Sequence, residues 1–248
     1  MNEHPLPADL IHSLRSANHV VAMTGAGVSA ESGVPTFRDA QTGLWAKYEP
    51  TELATPQAFE RNPKLVWDWY CWRRKKVLEV EPNPGHRALV ELASLVSGFT
   101  LVTQNVDNLH QRAGSPNVIE LHGNILRAKC FASNHVAIEW PDDSTHQPPH
   151  CDRCASLMRP DVVWFNECLP AQALNAAADA SAECDVFISI GTSSVVHPAA
   201  TLAGIALNSG ATVLEINPDP TPLTHQATFT LPGPSGVILP QIVSALRN

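Results

Sequence analysis

Positive charge is scarce in this sequence. Sixteen lysines and arginines stand against 24 acids, a formal net charge of −8 with the histidines neutral. That excludes a general nucleic-acid binder or a membrane-surface binder. Long apolar runs are missing too, since none reaches the roughly 20 residues a bilayer-spanning helix needs. The opening segment MNEHPLPADLIHSLRSANHVV has no basic leader followed by an apolar stretch, so no secretory signal is expected. No internal repeat and no long low-complexity linker interrupts the chain. Six cysteines without a signal read as reduced thiols, some open to a metal, and the cytoplasm is the expected compartment. What is present is 248 residues, 44% hydrophobic, enough for one large core and a small appended module.

Short apolar runs alternate with helix-like segments. Strands are expected at His19–Thr24, Phe99–Gln104, Val118–Leu121, Asp185–Ile190, Thr212–Ile216 and Thr228–Leu231, with helical patterns such as His86–Val96 and Pro198–Asn208 between them. That alternation implies an α/β fold with a mostly parallel sheet covered on both faces. Asn62-Pro63 and Asn83-Pro84 each read as an N-cap followed by proline at the first helical position. Two stretches break the rhythm and look like insertions. From about Trp45 to Pro82 the pattern is helical without a strand, and from Arg127 to Pro160 it is rich in cysteine, proline and histidine.

The segment HVVAMTGAGVSAESGVPTFRD, His19 to Asp39, leaves the first strand through Gly25-Ala26-Gly27. Closely spaced glycines after a strand let backbone N–H groups approach a phosphate, and a helix N-terminus that follows favours negative charge. Gly25 to Ala30 satisfies the dinucleotide fingerprint, a weak signal alone. The acidic residue expected about 20 residues later at the end of a second strand is missing, because that distance falls near Lys47-Tyr48-Glu49 in the helical region. The loop also runs on through SGVPTFRD, which the fingerprint does not require. Hydride transfer is therefore demoted.

Other strands also end in polar groups. Thr103-Gln104-Asn105-Val106-Asp107-Asn108-Leu109-His110 follows one, Glu120-Leu121-His122-Gly123 another, and Gly191-Thr192-Ser193 and Ile216-Asn217 two more. Ligands bind at the carboxyl ends of such strands. Capped turns would account for Asn105 or Asp107 singly, but not for five polar ends on one edge. A histidine there can serve as a general base, its ordinary pKa being near neutral.

GAGVSAESGVPTFRD, TQNVDNLH, ELHG, GTS and IN, in this order, resemble the sirtuin family of NAD-dependent protein lysine deacylases over nearly the whole chain. The resemblance implies a Rossmann-like parallel sheet with a smaller inserted domain, helical plus zinc-ribbon-type. The large NAD-binding domain would comprise 1–44, 83–126 and 161–248, and the small one a helical module at 45–82 and a cysteine-rich module at 127–160. Gly25, Ala26, Gly27, Ala30, Gly191, Thr192, Ser193 and Asn217 would surround the phosphates, ribose and adenine, with Ser235 capping the adenine. Phe37 and Arg38 would lie on the cofactor loop, and Gln104, Asn105 and Asp107 would line the nicotinamide and its ribose. The acyl-lysine oxygen would attack the ribose as nicotinamide leaves, with His122 the general base and Asn105 and Asp107 the other catalytic groups.

The helical insertion holds Asp68-Trp69-Tyr70-Cys71-Trp72-Arg73-Arg74-Lys75-Lys76. Tyr70 and Arg73 share a helix face by spacing. Spacing alone favours a solvated basic face over an aromatic anchor. Within the resemblance, Tyr-x-x-Arg is similar to class III, desuccinylase-type members, where the pair reads the acid tip of succinyl- or malonyl-lysine. Asp161–Glu167 is an extended β-branched and aromatic run. Val162, Val163, Trp164 and Phe165 would then flank the substrate peptide by strand addition, although an ordinary buried strand fits as well.

The resemblance also implies zinc on two C-x-x-C pairs, and here the sequence departs from it. Cys151-Asp152-Arg153-Cys154 is complete, whereas Cys130-Phe131-Ala132-Ser133 carries serine in the fourth place. Cys130, Cys151 and Cys154 are the expected ligands, with the fourth open among His135, His146 and His150, or the module holds zinc weakly or not at all. Cys71, Cys168 and Cys184 read as buried thiols. The expected partners are acylated lysines of proteins, with no nucleic acid and no membrane, and the chain is expected to be a monomer. Two other functions remain open, an NAD-dependent protein ADP-ribosyltransferase and a non-catalytic NAD or ADP-ribose sensor.

Overall fold

The computed structural model describes residues 6–34, 48–137, 140 and 147–248. Phe37, Arg38 and His146 lie outside them. The chain runs α1 (Ala8–Ser16), β1 (Val20–Thr24), α2 (Ala26–Ala30), α3 (Pro50–Leu53), α4 (Pro56–Arg61), α5 (Pro63–Leu78), α6 (Pro84–Leu95), β2 (Phe99–Thr103), α7 (Leu109–Ala113), β3 (Ile119–Glu120), β4 (Gly123–Cys130) and β5 (Val136–Ala137). It continues through β6 (Met158–Val162), α8 (Ala171–Glu183), β7 (Val186–Ile190), α9 (Thr201–Asn208), β8 (Thr212–Asn217), β9 (Phe229–Pro232) and α10 (Ser235–Arg247).

The six expected strands form one parallel sheet in the order β3-β2-β1-β7-β8-β9. Both faces are covered, so the central strands β1 and β7 are buried along their whole length rather than alternating. Leu10, Leu14, Leu89, Leu92, Ile238 and Ile242 of α1, α6 and α10 pack on Val20, Ala22, Ile188 and Leu214. On the other face Ala177, Leu202 and Ala206 of α8 and α9 pack on Val21, Met23, Phe187 and Val213. The chain leaves β1 toward β2 and β3, then returns to build β7 to β9 on the opposite side. The connection reverses between β1 and β7, where the strand ends open a crevice.

Both predicted asparagine caps form. Asn62 Oδ1 accepts the Leu65 N–H at 3.1 Å, and Asn83 Oδ1 accepts those of Gly85 at 2.9 Å and His86 at 3.3 Å. Helix α9 begins at Thr201, three residues later than the pattern from Pro198 suggests.

The smaller unit pairs α3, α4 and α5 with an antiparallel sheet of order β5-β4-β6. Its core joins Phe59, Trp67, Trp69 and Tyr70 to Ile125, Ala128, Cys130, Met158 and Trp164. Burial of such aromatic side chains supplies most of the energy here. The expected single extended run over Asp161–Glu167 is corrected. The strand stops at Val162, and Asn166 adopts φ 69, turning the chain so that Glu167 N–H reaches Trp164 O at 3.1 Å. Asparagine tolerates this left-handed geometry.

Gly123 is the hinge from the large sheet to the small one. It has φ +79, and a Cβ there would lie 2.1 Å from Asp161 O. Gly123→Ala is expected to cost about 2 kcal/mol or more through overlap and strain. The check is thermal unfolding, with a Tm fall of roughly 4–8 °C.

Candidate active site

Tight packing of glycine on glycine builds the floor of the crevice. Gly25 N–H donates to Ile190 O at 3.0 Å and Gly27 N–H to Gly191 O at 2.9 Å. A Cβ at Gly27 would stand 2.8 Å from Gly191 Cα, and one at Gly191 2.6 Å from Val28 N. Only glycines let the turns after β1 and β7 touch in this way. Ala26 and Ala30 lie on the short helix α2 that follows, both exposed. Beside them Thr192 is buried and Ser193 exposed, and Asn217 Nδ2 donates to Thr192 O at 2.7 Å. The structure thus brings Gly25, Ala26, Gly27, Gly191, Thr192, Ser193 and Asn217 to one edge. Ser235 sits at the start of α10, and its hydroxyl donates to Glu31 Oε1 at 2.7 Å. Glu31 lies within the glycine motif, but nothing in its spacing marks it as the partner of Ser235 and the Gly236 amide.

The end of β2 adds the next layer. Asn105 Nδ2 donates to Gly25 O and to Ser29 Oγ, each at 2.9 Å. Asp107 Oδ1 accepts the Leu109 N–H at 2.9 Å. Burial pushes the Asp107 carboxyl above its ordinary value, against the pull of the Ser29 hydroxyl, the Leu109 amide and the Arg73 charge. Ser29, buried in α2, therefore links the two predicted residues. It was missed because an isolated serine after a glycine turn carries no signal of its own.

His122 stands just past β3, with Nδ1 at 3.0 Å from Gln104 O. A carbonyl can only accept, so Nδ1 carries the proton and Nε2 presents the lone pair. Burial lowers the His122 pKa below its ordinary 6.5, with the Gln104 carbonyl pulling the other way. The imidazole is therefore neutral and basic at Nε2 near pH 7. Val163 N–H donates to His122 O at 2.9 Å, which puts the end of β6 against the histidine. Val162 is buried, Val163 half-buried and Phe165 exposed. Trp164 turns inward and is 2% exposed. Arg127 joins the two units, pairing with Glu120 Oε2 at 2.6 Å and with Asp161 Oδ2 at 3.0 Å.

Tyr70 is fully buried, so the solvated-face reading of its helix does not hold at this position. Arg73 Cζ lies 4.9 Å from the Trp69 ring centroid and 5.8 Å from that of Tyr70. Burial lowers the Arg73 pKa, while the Tyr70 and Asp107 groups raise it. A half-buried cation of this kind favours an anionic partner.

Farther along the small unit, Cys130, Cys151 and Cys154 place their sulfurs within 4.8 Å of one another. Burial raises the Cys130 pKa, but hydrogen bonds from the Ser133 hydroxyl and amide, the Cys154 thiol and the Ala132 amide bring it down to about 6. A thiolate-prone cluster of three cysteines fits zinc, which takes deprotonated sulfur. Ser133 Oγ lies 3.0 Å from His135 Nδ1. His150 Nδ1 is bound to Ala155 O at 2.8 Å. Metal analysis of freshly purified protein is expected to find more than about half an equivalent of zinc, falling sharply in Cys154→Ser. Cys184 is buried as expected, but Cys71 is only half-buried and Cys168 is exposed. The expectation of burial is therefore corrected for these two, as Cys168 lies on the surface segment leading to α8.

The Sir2 family model matches residues 25–198. The chain is 48% identical to NAD-dependent protein deacylase 1 of Pseudomonas aeruginosa, over 94% of this chain and 96% of that one. It is likewise 48% identical to an NAD-dependent protein deacylase of Aquifex aeolicus, covering 93% and 96%. A crystal structure of a Sir2 homolog–NAD complex superimposes with TM-score 0.91 at 46% identity, covering 98% of this chain and 94% of that one. A Sir2–p53 peptide–NAD+ structure does so with TM-score 0.83 at 31% identity, covering 96% and 97%.

Proposed function

The chain belongs to the Sir2 family, and on that premise we propose that it is an NAD-dependent protein lysine deacylase preferring acyl groups that end in a carboxylate, succinyl and malonyl, over acetyl. Deacylation is supported by relatives named NAD-dependent protein deacylase, matched over 96% of their length. The acid preference rests on one observation, the buried Tyr70 and the half-buried Arg73 set side by side near Asp107.

The cradle fits a dinucleotide. Glycine turns too tight for any Cβ line its floor, and Asn105, Asp107 and Asn217 surround it with polar groups. Gly25, Ala26, Gly27, Ala30, Gly191, Thr192, Ser193, Asn217 and Ser235 would hold its phosphates, riboses and adenine, together with Phe37 and Arg38. Gln104, Asn105 and Asp107 would hold the nicotinamide end. When bound, NAD would supply a ribose carbon to accept the acyl oxygen in exchange for nicotinamide, and with one water consumed the products would be nicotinamide, acyl-ADP-ribose and free lysine.

Asn105 is held to the Gly25 loop, which fixes its amide. An acyl oxygen is a weak nucleophile, so the site must hold it close and keep water out. His122 Nε2 is free to take a proton from a ribose hydroxyl, because Nδ1 is anchored on Gln104. Val162, Val163 and Phe165, at the free end of β6, would border the substrate peptide. The six free cysteines fit a reducing, cytoplasmic setting, and no described helix is long and apolar enough to cross a membrane.

The test is mass spectrometry of acetyl-, succinyl- and malonyl-lysine peptides incubated with and without NAD. NAD-dependent loss of acyl groups, fastest for succinyl or malonyl, is expected. Transfer of ADP-ribose to protein with no deacylation would favour the transferase reading, and no turnover at all the sensor reading.

A further inference from the structure

The surroundings of Tyr70 hold a group whose part in acyl choice lies beyond the pair itself. Trp164 Nε1 donates to Tyr70 Oη at 3.0 Å, both groups buried. An indole N–H can only donate, so the phenol oxygen is the acceptor there. Of the charged groups nearby, Arg73 and Arg159 have no lone pair to receive the phenol hydrogen, and the Glu167 carboxylate is engaged by Arg159 and the Trp164 amide. The Tyr70 O–H is therefore open to an acceptor beyond these groups, and a carboxylate is the strongest one an acyl-lysine can bring.

The indole is itself firmly held. Arg159 Cζ lies 3.3 Å from its ring centroid. That guanidinium is fixed by Glu167 Oε1 at 2.5 Å, Glu167 Oε2 at 2.8 Å and Val162 O at 2.7 Å. Glu167 Oε2 also accepts the Trp164 backbone N–H at 2.7 Å. Phe59 packs on the same ring with centroids 5.4 Å apart. A chain Glu167–Arg159–Trp164–Tyr70 thus runs from the end of β6 to the middle of α5, two elements distant in sequence.

We propose that Trp164 is the positioning residue for acyl selectivity, locking the Tyr70 hydroxyl so that its proton is presented to the terminal carboxylate of a succinyl or malonyl group. The proposal rests on the acidic-acyl reading above. Without the indole donor the phenol rotates among alternative partners, and binding of the acid tip weakens while the acetyl substrate, which has no such tip, is less affected.

The experiment compares kcat/KM for succinyl- and acetyl-lysine peptides of one sequence in the wild type, Trp164→Phe, Tyr70→Phe and the double variant, with Tm measured for each. Trp164→Phe is expected to lower the succinyl-to-acetyl ratio roughly three- to tenfold, the range of one hydrogen bond, mostly through KM for the succinyl peptide. In the Tyr70→Phe background the same substitution is expected to leave the ratio where Tyr70→Phe alone puts it, because the group being positioned is gone. If Trp164→Phe does not fold, Glu167→Gln keeps both rings and loosens Arg159, and a fall in the ratio is expected there too. A ratio that stays at the wild-type value in Trp164→Phe, or in Glu167→Gln where that stands in, while Tyr70→Phe lowers it, overturns the positioning role alone. A ratio unmoved by Tyr70→Phe and by Arg73→Met overturns the acidic-acyl reading beneath it.

Discussion

His122→Ala should fold normally and lose roughly 100- to 10,000-fold in turnover on any acyl-lysine peptide, the usual range for a general base. His122→Tyr should do the same. The physical reason is the single lone pair. Nδ1 is anchored on the Gln104 carbonyl at 3.0 Å, so Nε2 alone of the ring can receive a proton. The same anchor sets the pH dependence. Burial lowers the histidine below 6.5, so the base is neutral above that lowered value and protonated below it. Activity is therefore expected to hold from neutrality down past pH 6.5 and to fall only on further acidification. The checks are steady-state rates from acid to neutral pH, with circular dichroism to show that the variants are folded. A folded His122→Ala that retained most of its turnover would remove the base assignment.

Arg73→Met should cut desuccinylation by about 10- to 150-fold, since hydrogen bonds to charged groups contribute about 1.5–3 kcal/mol, while deacetylation changes far less. The guanidinium sits half-buried against the Trp69 and Tyr70 rings, so an acyl carboxylate gains more from it than it would in open solvent, and an acetyl group makes no such contact. Lysine in the same place would not substitute fully, because its ammonium lacks the planar fork that grips both carboxylate oxygens. The measurement is kcat/KM on matched succinyl and acetyl peptides. Equal losses on both would assign Arg73 a packing role instead.

Much of the frame was legible beforehand. The six strands stand where the apolar runs placed them, because a parallel sheet buried on both faces writes itself as continuous hydrophobic stretches. The asparagine caps before Pro63 and Pro84 were legible because capping is local chemistry. The turn at Asn166 was not, since it depends on Glu167 turning back to Arg159 and to the Trp164 amide. Nor was the inward course of Trp164. An alternating aromatic run looks the same whether its rings face a peptide or a core.

Sequence alone determined the parallel sheet, the glycine turns that only a close backbone approach requires, and the set of polar strand ends that meet at one edge. These follow from residue type and local spacing. Tertiary structure alone decided the rest. It chose which imidazole nitrogen of His122 is basic, it tied Asn105 to Ser29, it buried Tyr70, and it brought Trp164 to the phenol oxygen from a segment 94 residues away. Hydrogen-bond direction and burial are properties of what surrounds a group, and in this chain those surroundings come from distant segments packed across two units.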